Sequence, residues 1–478
     1  MNRLFSLLFL LAMSASLSAQ FYLNASDQLP DEGAKQQSMD VRAADLDQDG
    51  DLDIVLANEF QANTILFNNG NGNFISAAAN VLPARIQDSE DVAIADFNGD
   101  GWLDLVFCSE DDINLGEQNV HEYYLGSEEG TFSTGPDNLV DSEANAVISA
   151  DVNADGWPDL IFGNNGPTTL LLNDQTGNFV LDEDRIPAVN RTTQDLLYVD
   201  LTGDGHADLI EGNENGNRYF INDGNGFFTD ETAERLPNLS NLETRKIVAG
   251  DVDGDNDLDL FLCNVAFLPG RNPRNQLWLN DGSGNFTDAT LAQLPLDVDL
   301  TLDAVIIDLD ADNDLDIFVT NIAGVPQKVY LNDGSGVFAF ATSGIFEENY
   351  IREGLGLFTA DFNGDDLIDI YLCDRKIPTT NFKDLLLLRA PITASEEQLV
   401  VEQLTVFPNP LQDTFYVQGN LSDVISTAHL TDNSGRALAE LKLVQQADDT
   451  YQALWPPHLS SGIYFLKVAN TTVKLIKQ

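Results

Sequence analysis

DLDQDGDLD, residues 45–53, decides how this chain is read. Six more stretches repeat its pattern: DFNGDGWLD from Asp96, DVNADGWPD from Asp151, DLTGDGHAD from Asp200, DVDGDNDLD from Asp251, DLDADNDLD from Asp308 and DFNGDDLID from Asp361. They follow one another at 51, 55, 49, 51, 57 and 53 residues, which is too even for chance. A short apolar run precedes each copy, such as VAIAD (92–96), and another follows, such as DLFLCN (259–264). A third run such as QLWLN (276–280) leads through a turn, NDGSGNF (280–286), to a fourth. Four β-rich runs between Gly, Asn and Asp turns, repeated about every fifty residues, predict one propeller blade per copy. The expected fold is therefore all-β, a seven-bladed β-propeller over residues 20–390.

The ends of this region predict how the ring closes. FYLNASDQLP (21–30) matches the tail of an internal repeat, NFTDATLAQLP (285–295). The seventh copy has a third run, DLLLLR (384–389), but no NDG turn and no fourth run. Residues 21–25 should supply that fourth strand, which removes two free sheet edges. The three cysteines, Cys108, Cys263 and Cys373, each lie twelve residues after the first Asp of a copy, where other copies carry Ala57, Gly163, Gly212 and Thr320. They read as small buried packing residues rather than as a disulfide framework.

Numbered from one to nine, each loop carries oxygen side chains at positions one, three, five and nine. These are Asp45, Asp47, Asp49 and Asp53; Asp96, Asn98, Asp100 and Asp104; Asp151, Asn153, Asp155 and Asp159; Asp200, Thr202, Asp204 and Asp208; Asp251, Asp253, Asp255 and Asp259; Asp308, Asp310, Asp312 and Asp316; Asp361, Asn363, Asp365 and Asp369. Position six is Gly, Asn or Asp, residues that tolerate a left-handed backbone. Alternate oxygens around a tight turn make a cage for a hard cation, and calcium, with six to eight oxygen ligands, suits it better than magnesium. An EF-hand would need Glu at position twelve, where only Glu211 fits, the others being Leu56, Phe107, Phe162, Leu262, Val319 and Leu372. The loops hold 28 of the 78 acidic residues, so without cations each cluster repels itself. Up to seven calcium ions, mainly structural, are expected. Thr202 makes the fourth loop the weakest.

The net charge of −55 excludes nucleic acid and anionic membrane surfaces as partners. Residues 1–19, MNRLFSLLFLLAMSASLSA, read as a signal peptide cleaved after Ala19; the apolar run is too short to span a bilayer, and no other membrane span is expected. Residues 391–403 read as a linker. Residues 404–478 lose the repeat and read as a small Ig-like β-sandwich.

The DxDxDGxxD loops within four-strand repeats resemble the FG-GAP/VCBS-type repeat family, the calcium propellers also found in integrin α-subunits. The resemblance covers roughly residues 21–390. It implies seven blades with cation loops, but no single function, since relatives include adhesins, carbohydrate-binding proteins and some polysaccharide lyases. The tail, through VFPNP (406–410), LTDNSGRALAE (430–440), LSSGIYFLKV (459–468) and VKLIKQ (473–478), resembles the type IX secretion sorting domain of Bacteroidota. That likeness implies the type IX machinery as a partner and a protein secreted or attached to the outer cell surface. The alternative is an adhesive sandwich module.

No catalytic constellation stands out. The four histidines, His121, His206, His429 and His458, are scattered, and there is no zinc-spaced cluster, nucleophilic serine elbow or phosphate loop. Ligands of a propeller are expected on the face away from the acidic loops, where 109–123, 264–276 (with Arg271 and Arg274) and 374–383 vary. Five residues before each acidic loop stand Asp40, Asp91, Ala146, Asp195, Lys246, Asp303 and Gly356, a polar ring for the mouth of a central channel. Arg245, Lys246, Tyr350 and Arg352 lie near it in sequence. The reading is a calcium-binding recognition or adhesion module for a glycan or surface protein. The alternative is an extracellular polysaccharide lyase, for which basic and tyrosine residues would converge in one cleft.

Overall fold

The computed structural model describes residues 21–478 except 32–33, 111–120, 129, 239–240, 342–343, 347–349, 376–382 and 391–404, and in the tail except 408–413, 419–426, 432–436, 448–449, 457–458, 461, 469–470 and 478. The expected signal peptide and linker therefore lie outside the described residues. The chain divides into two compact units, Met1–Pro391 and Ile392–Gln478.

In the first unit the described strands form three four-stranded and two eight-stranded antiparallel sheets, and each eight-stranded sheet is two sets of four strands joined by a short pairing, of residues 59–62 with 86–88 and of 165–166 with 191–192. The fifth set along the chain is typical: Thr244–Gly250, Asp259–Asn264, Gln276–Asn280 and Phe286–Asp288 pair in sequence order. Its second strand, DLFLCN, is buried on both faces, which is why it reads as a continuous apolar run. The two-residue period sends successive side chains to opposite neighbours. Ile54 and Leu56 pack toward the seventh blade with Phe362 and Tyr371, while Val55 and Ala57 pack toward the second with Val92 and Phe107. Seven apolar clusters of this kind lie between successive blades, and the one between the seventh and the first closes the ring.

Closure is also made by backbone hydrogen bonds. Tyr22–Asn24 pairs antiparallel with Leu387–Arg389 as the outer strand of the seventh blade. Tyr22 is fully buried in the cluster between blades six and seven. The three cysteines are buried free thiols in second strands.

The tail holds two four-stranded antiparallel sheets. Phe415, Val417 and Tyr451 from one and Leu430, Tyr464, Leu466 and Leu475 from the other share a single apolar cluster around Trp455.

Candidate functional sites at the two ends of the blades

At one end of the blades lie the acidic loops. Position six has a positive φ in all seven: 99° at Gly50, 93° at Gly101, 89° at Gly156, 90° at Gly205, 73° at Asn256, 74° at Asn313 and 65° at Asp366. Its N–H donates to the position-one carboxylate, as from Gly101 to Asp96 at 2.8 Å and from Asp366 to Asp361 at 2.7 Å. Position four is left-handed as well, even where it is Gln48, Ala154 or Ala311. The sequence reading missed this because those residues give no conformational signal.

Position nine does two jobs. Its side chain is buried, and each of its oxygens accepts a backbone N–H. Asp53 takes those of Leu46 at 3.0 Å and Asn68 at 2.9 Å, and Asp259 takes those of Val252 at 3.1 Å and Asn280 at 2.9 Å. The same pair of bonds recurs at Asp104, Asp159, Asp208, Asp316 and Asp369. The carboxylate thus fastens the loop to the end of the third strand. Burial pushes the Asp53 and Asp259 carboxyls up to about 7 against the pull of these donors.

In the first, fifth and sixth loops, carboxylate oxygens of three residues lie within 4.8 Å of one another: Asp45, Asp47 and Asp53; Asp251, Asp253 and Asp255; Asp308, Asp310 and Asp316. Buried oxygens of Asp45, Asp253 and Asp310 in these loops have no hydrogen-bond partner. Oxygens about 2.4 Å from a shared ion are separated by up to about twice that, so the residues fit calcium. The other loops carry Asn or Thr at position three. Calcium would supply charge neutralisation and hold the hairpin closed.

At the other end, the structure gathers the polar ring that the sequence outlined. Asp40, Asp91, Asp195, Lys246, Asp303 and Gly356 line a cavity of about 310 Å³ at the channel mouth, whereas Ala146, the remaining ring position, is buried and does not line it. Arg42 reaches Asp40 at 2.5 Å and Asp91 at 2.8 Å, and Lys246 reaches Asp195 at 3.0 Å. Three ring carboxylates also tie one blade to the next by accepting an N–H: Asp91 from Val147 at 3.0 Å, Asp195 from Ile247 at 2.8 Å and Asp303 from Leu357 at 2.7 Å. Burial raises the Asp303 carboxyl to about 6, against the attraction of Lys246. Gly356 is required by space, since a Cβ there would lie 2.8 Å from the Met39 carbonyl oxygen.

The cavity also contains residues that sequence reasoning missed. The first hairpin of every blade has a register shift just before or at the ring position. A bulge leaves one residue unpaired and re-aims it. The skipped residues Met39, Glu90, Asn145, Gln194, Arg245, Leu302 and Leu355 all line the cavity. Their only trace in sequence is that this position differs from copy to copy. Arg245 lies over the Phe267 ring at 5.0 Å and is paired with Glu243 at 2.9 Å.

Two expected neighbours are held elsewhere. Tyr350 is buried in the cluster between blades six and seven, and Arg352 pairs with Asp374 at 3.2 Å. The basic and tyrosine convergence expected of a lyase cleft therefore does not form from these residues. Of the varied loops, Arg271 bonds Asn215, and Arg274 donates to the carbonyls of Thr290 at 3.3 Å and Leu294 at 3.4 Å. Residues 111–120 and 376–382 of the other two loops lie outside the described residues.

Comparison with known proteins agrees with this layout. FG-GAP-like repeats match residues 36–107, 151–211, 200–262 and 308–372, together just over half of the chain. A secretion system C-terminal sorting domain matches residues 405–478, which implies export by the type IX machinery followed by secretion or surface attachment. Among the described residues no helix is long and apolar enough to cross a membrane. Comparison with curated proteins finds no match. Among solved structures, an Agrocybe aegerita lectin specific for non-reducing terminal N-acetylglucosamine is 20% identical, with 63% of this chain and 79% of that chain covered and a TM-score of 0.40. The BBS1N–ARL6DN complex, in a lead soak and a mercury soak, is 13% identical over 79% of this chain and 99% of that chain, with TM-scores of 0.46 and 0.49. With its repeated acidic hairpins and its matched blades, the chain belongs to the family of FG-GAP-like repeat proteins.

Proposed function

We propose that this exported β-propeller is a calcium-stabilised recognition module that binds a glycan or a surface protein through the face opposite its acidic loops. Calcium at the position-one, -three, -five and -nine residues holds the hairpins, and the blades carry the ligand at their other end. The observation that carries this reading is the cavity of about 310 Å³ at the channel mouth, where seven bulges present six kinds of side chain on one frame. Asp91, Asp195 and Lys246 are held in place by ion pairs and backbone N–H groups, so their use in binding needs little reorganisation. Screening the full chain on glycan arrays and against surface proteins, in calcium and in chelator, tests it. A ligand whose binding is lost in Arg245→Ala and Glu90→Ala supports the reading, and binding unaffected by both overturns it. Export through the tail is tested by removing residues 404–478 in a type IX-competent host. Undiminished secretion of the shortened chain would overturn that role.

A further inference from the structure

The junctions between blades share a device that the repeat pattern does not announce. The residue just before the third strand accepts the N–H at the end of the second strand. Asn63 accepts from Asn58, His121 from Ser109, Asn217 from Asn213, Asn275 from Asn264, Gln327 from Asn321 and Asp384 from Asp374. The far end of that side chain then bonds the next blade. Asn63 donates to Ser89 at 3.1 Å, Asn275 to Thr301 at 2.9 Å and to the Tyr330 hydroxyl at 3.4 Å, and Gln327 to the Arg352 carbonyl at 3.0 Å. His121 meets Ser142 at 3.0 Å, and Asp384 accepts from Ser38 at 3.0 Å.

Asn217 departs from this set. Its amide orientation is fixed, because Oδ1 accepts the Asn213 N–H at 3.0 Å, so Nδ2 faces the fifth blade. There the third-strand position that holds Tyr330 in blade six holds Trp278, whose indole can only donate. Asn217 Nδ2 and Trp278 Nε1 have no hydrogen-bond partner, although the residues are only 7% and 1% exposed. Both line a cavity of about 330 Å³ together with Arg191 and Arg218, whose Nε groups also lack partners. Arg218 Nη1 reaches Asp230 at 3.3 Å, and Arg271 bonds Asn215 at the rim. Four unmet donors and two guanidinium charges face one space in a chain of net charge −55. Buried donors without acceptors are costly, and an ionised acceptor would satisfy them best.

We propose that the junction of the fourth and fifth blades binds an oxyanion, a carboxylate or sulfate group such as acidic glycans carry. Arg191 and Arg218 supply charge, and Asn217 and Trp278 fix the orientation of the anion. The site is separate from the channel mouth, so either reading can fail alone. The test titrates the full chain, in saturating calcium chloride, with sodium glucuronate, sodium sulfate and glucose by calorimetry, with melting curves in parallel. Saturable binding of glucuronate, sulfate or both, and none of glucose, is expected, and the anion bound identifies the source. Arg218→Gln should weaken binding at least about tenfold, the worth of one charged hydrogen bond. Asn217→Asp places an acceptor among the donors, so it should abolish binding and raise the melting temperature of the ligand-free protein. Failure of both anions to bind, or unchanged binding by Asn217→Asp, overturns the proposal. Should Asn217→Asp not fold, unchanged binding by both Arg218→Gln and Arg191→Gln overturns it.

Discussion

The two ends of the blades are built from the same hairpins and obey opposite rules. At the loop end seven nonapeptides repeat one solution, with the same left-handed position six and the same position-nine fastening. At the channel end the same strands finish in seven bulges carrying Met, Glu, Asn, Gln, Arg, Leu and Leu. Repetition marks what every blade needs in order to fold. Variation marks where the proposed recognition surface lies.

This contrast breaks most visibly with calcium. Two ligand sites at a hundredfold excess over their Kd already stabilise the folded state by about 5 kcal/mol, so chelation should lower the melting temperature by many degrees. Melting curves with and without calcium check this, and identical curves would reduce the loops to acidic turns.

At the channel end the expected dependence is on ion pairs, not on calcium. Arg42→Met leaves Asp40 and Asp91 without their shared guanidinium, and breaking a buried pair costs about 3–5 kcal/mol. Denaturant unfolding should show that loss equally in calcium and in chelator. A loss confined to calcium would mean the two ends are coupled.

Within one loop the comparison sharpens further. Asp53→Ala strips two backbone N–H groups of their acceptor and should cost about 2–4 kcal/mol even in chelator. Asp49→Ala should matter mainly in calcium, since its side chain accepts only the exposed Asp51 N–H. Equal losses in chelator would remove the distinction between fastening and ligand.

The smallest effect concerns pH. His121 is held down to about 4 by burial, with Asp141 pulling the other way and Arg85 adding to the depression. Its Nδ1 accepts the Ser109 N–H, so protonation there breaks a buried bond. The unfolded chain takes up this proton near pH 6.5 and the folded chain only near 4, so the histidine's own contribution to stability falls as pH drops between those values and no further below. His121→Asn, the residue used by blades one, four and five, should flatten that decline by on the order of 2 kcal/mol. Parallel pH profiles of wild type and variant would show it.

The four-strand repeat, the closing strand and the sorting tail were legible from residues alone, because each rests on a local pattern of residues. Seven acidic nonapeptides demand seven hairpins, and the missing fourth run after Leu388 demands a strand from elsewhere. The ring from Asp40 to Gly356 was legible for the same reason: it stands at a constant distance from the loop. Tyr350 was misjudged because nearness in sequence does not say which face of a blade a side chain meets.

What only the tertiary structure decided is where hydrogen bonds and bulges leave groups unanswered. Glu90 and Arg245 reach the channel mouth because a skipped residue turns its side chain out of the ladder, an event with no residue signature. Asn217 looks like Asn63 and Asn275 in sequence, but the next blade, tens of positions away, brings its amide no acceptor. Whether an amide ends on Ser89, on Tyr330 or opposite another donor depends on which side chain the neighbouring blade brings to that point. The sequence dictates each blade through local periodicity, whereas the proposed binding surfaces lie where blades meet and the chain contacts itself at long range.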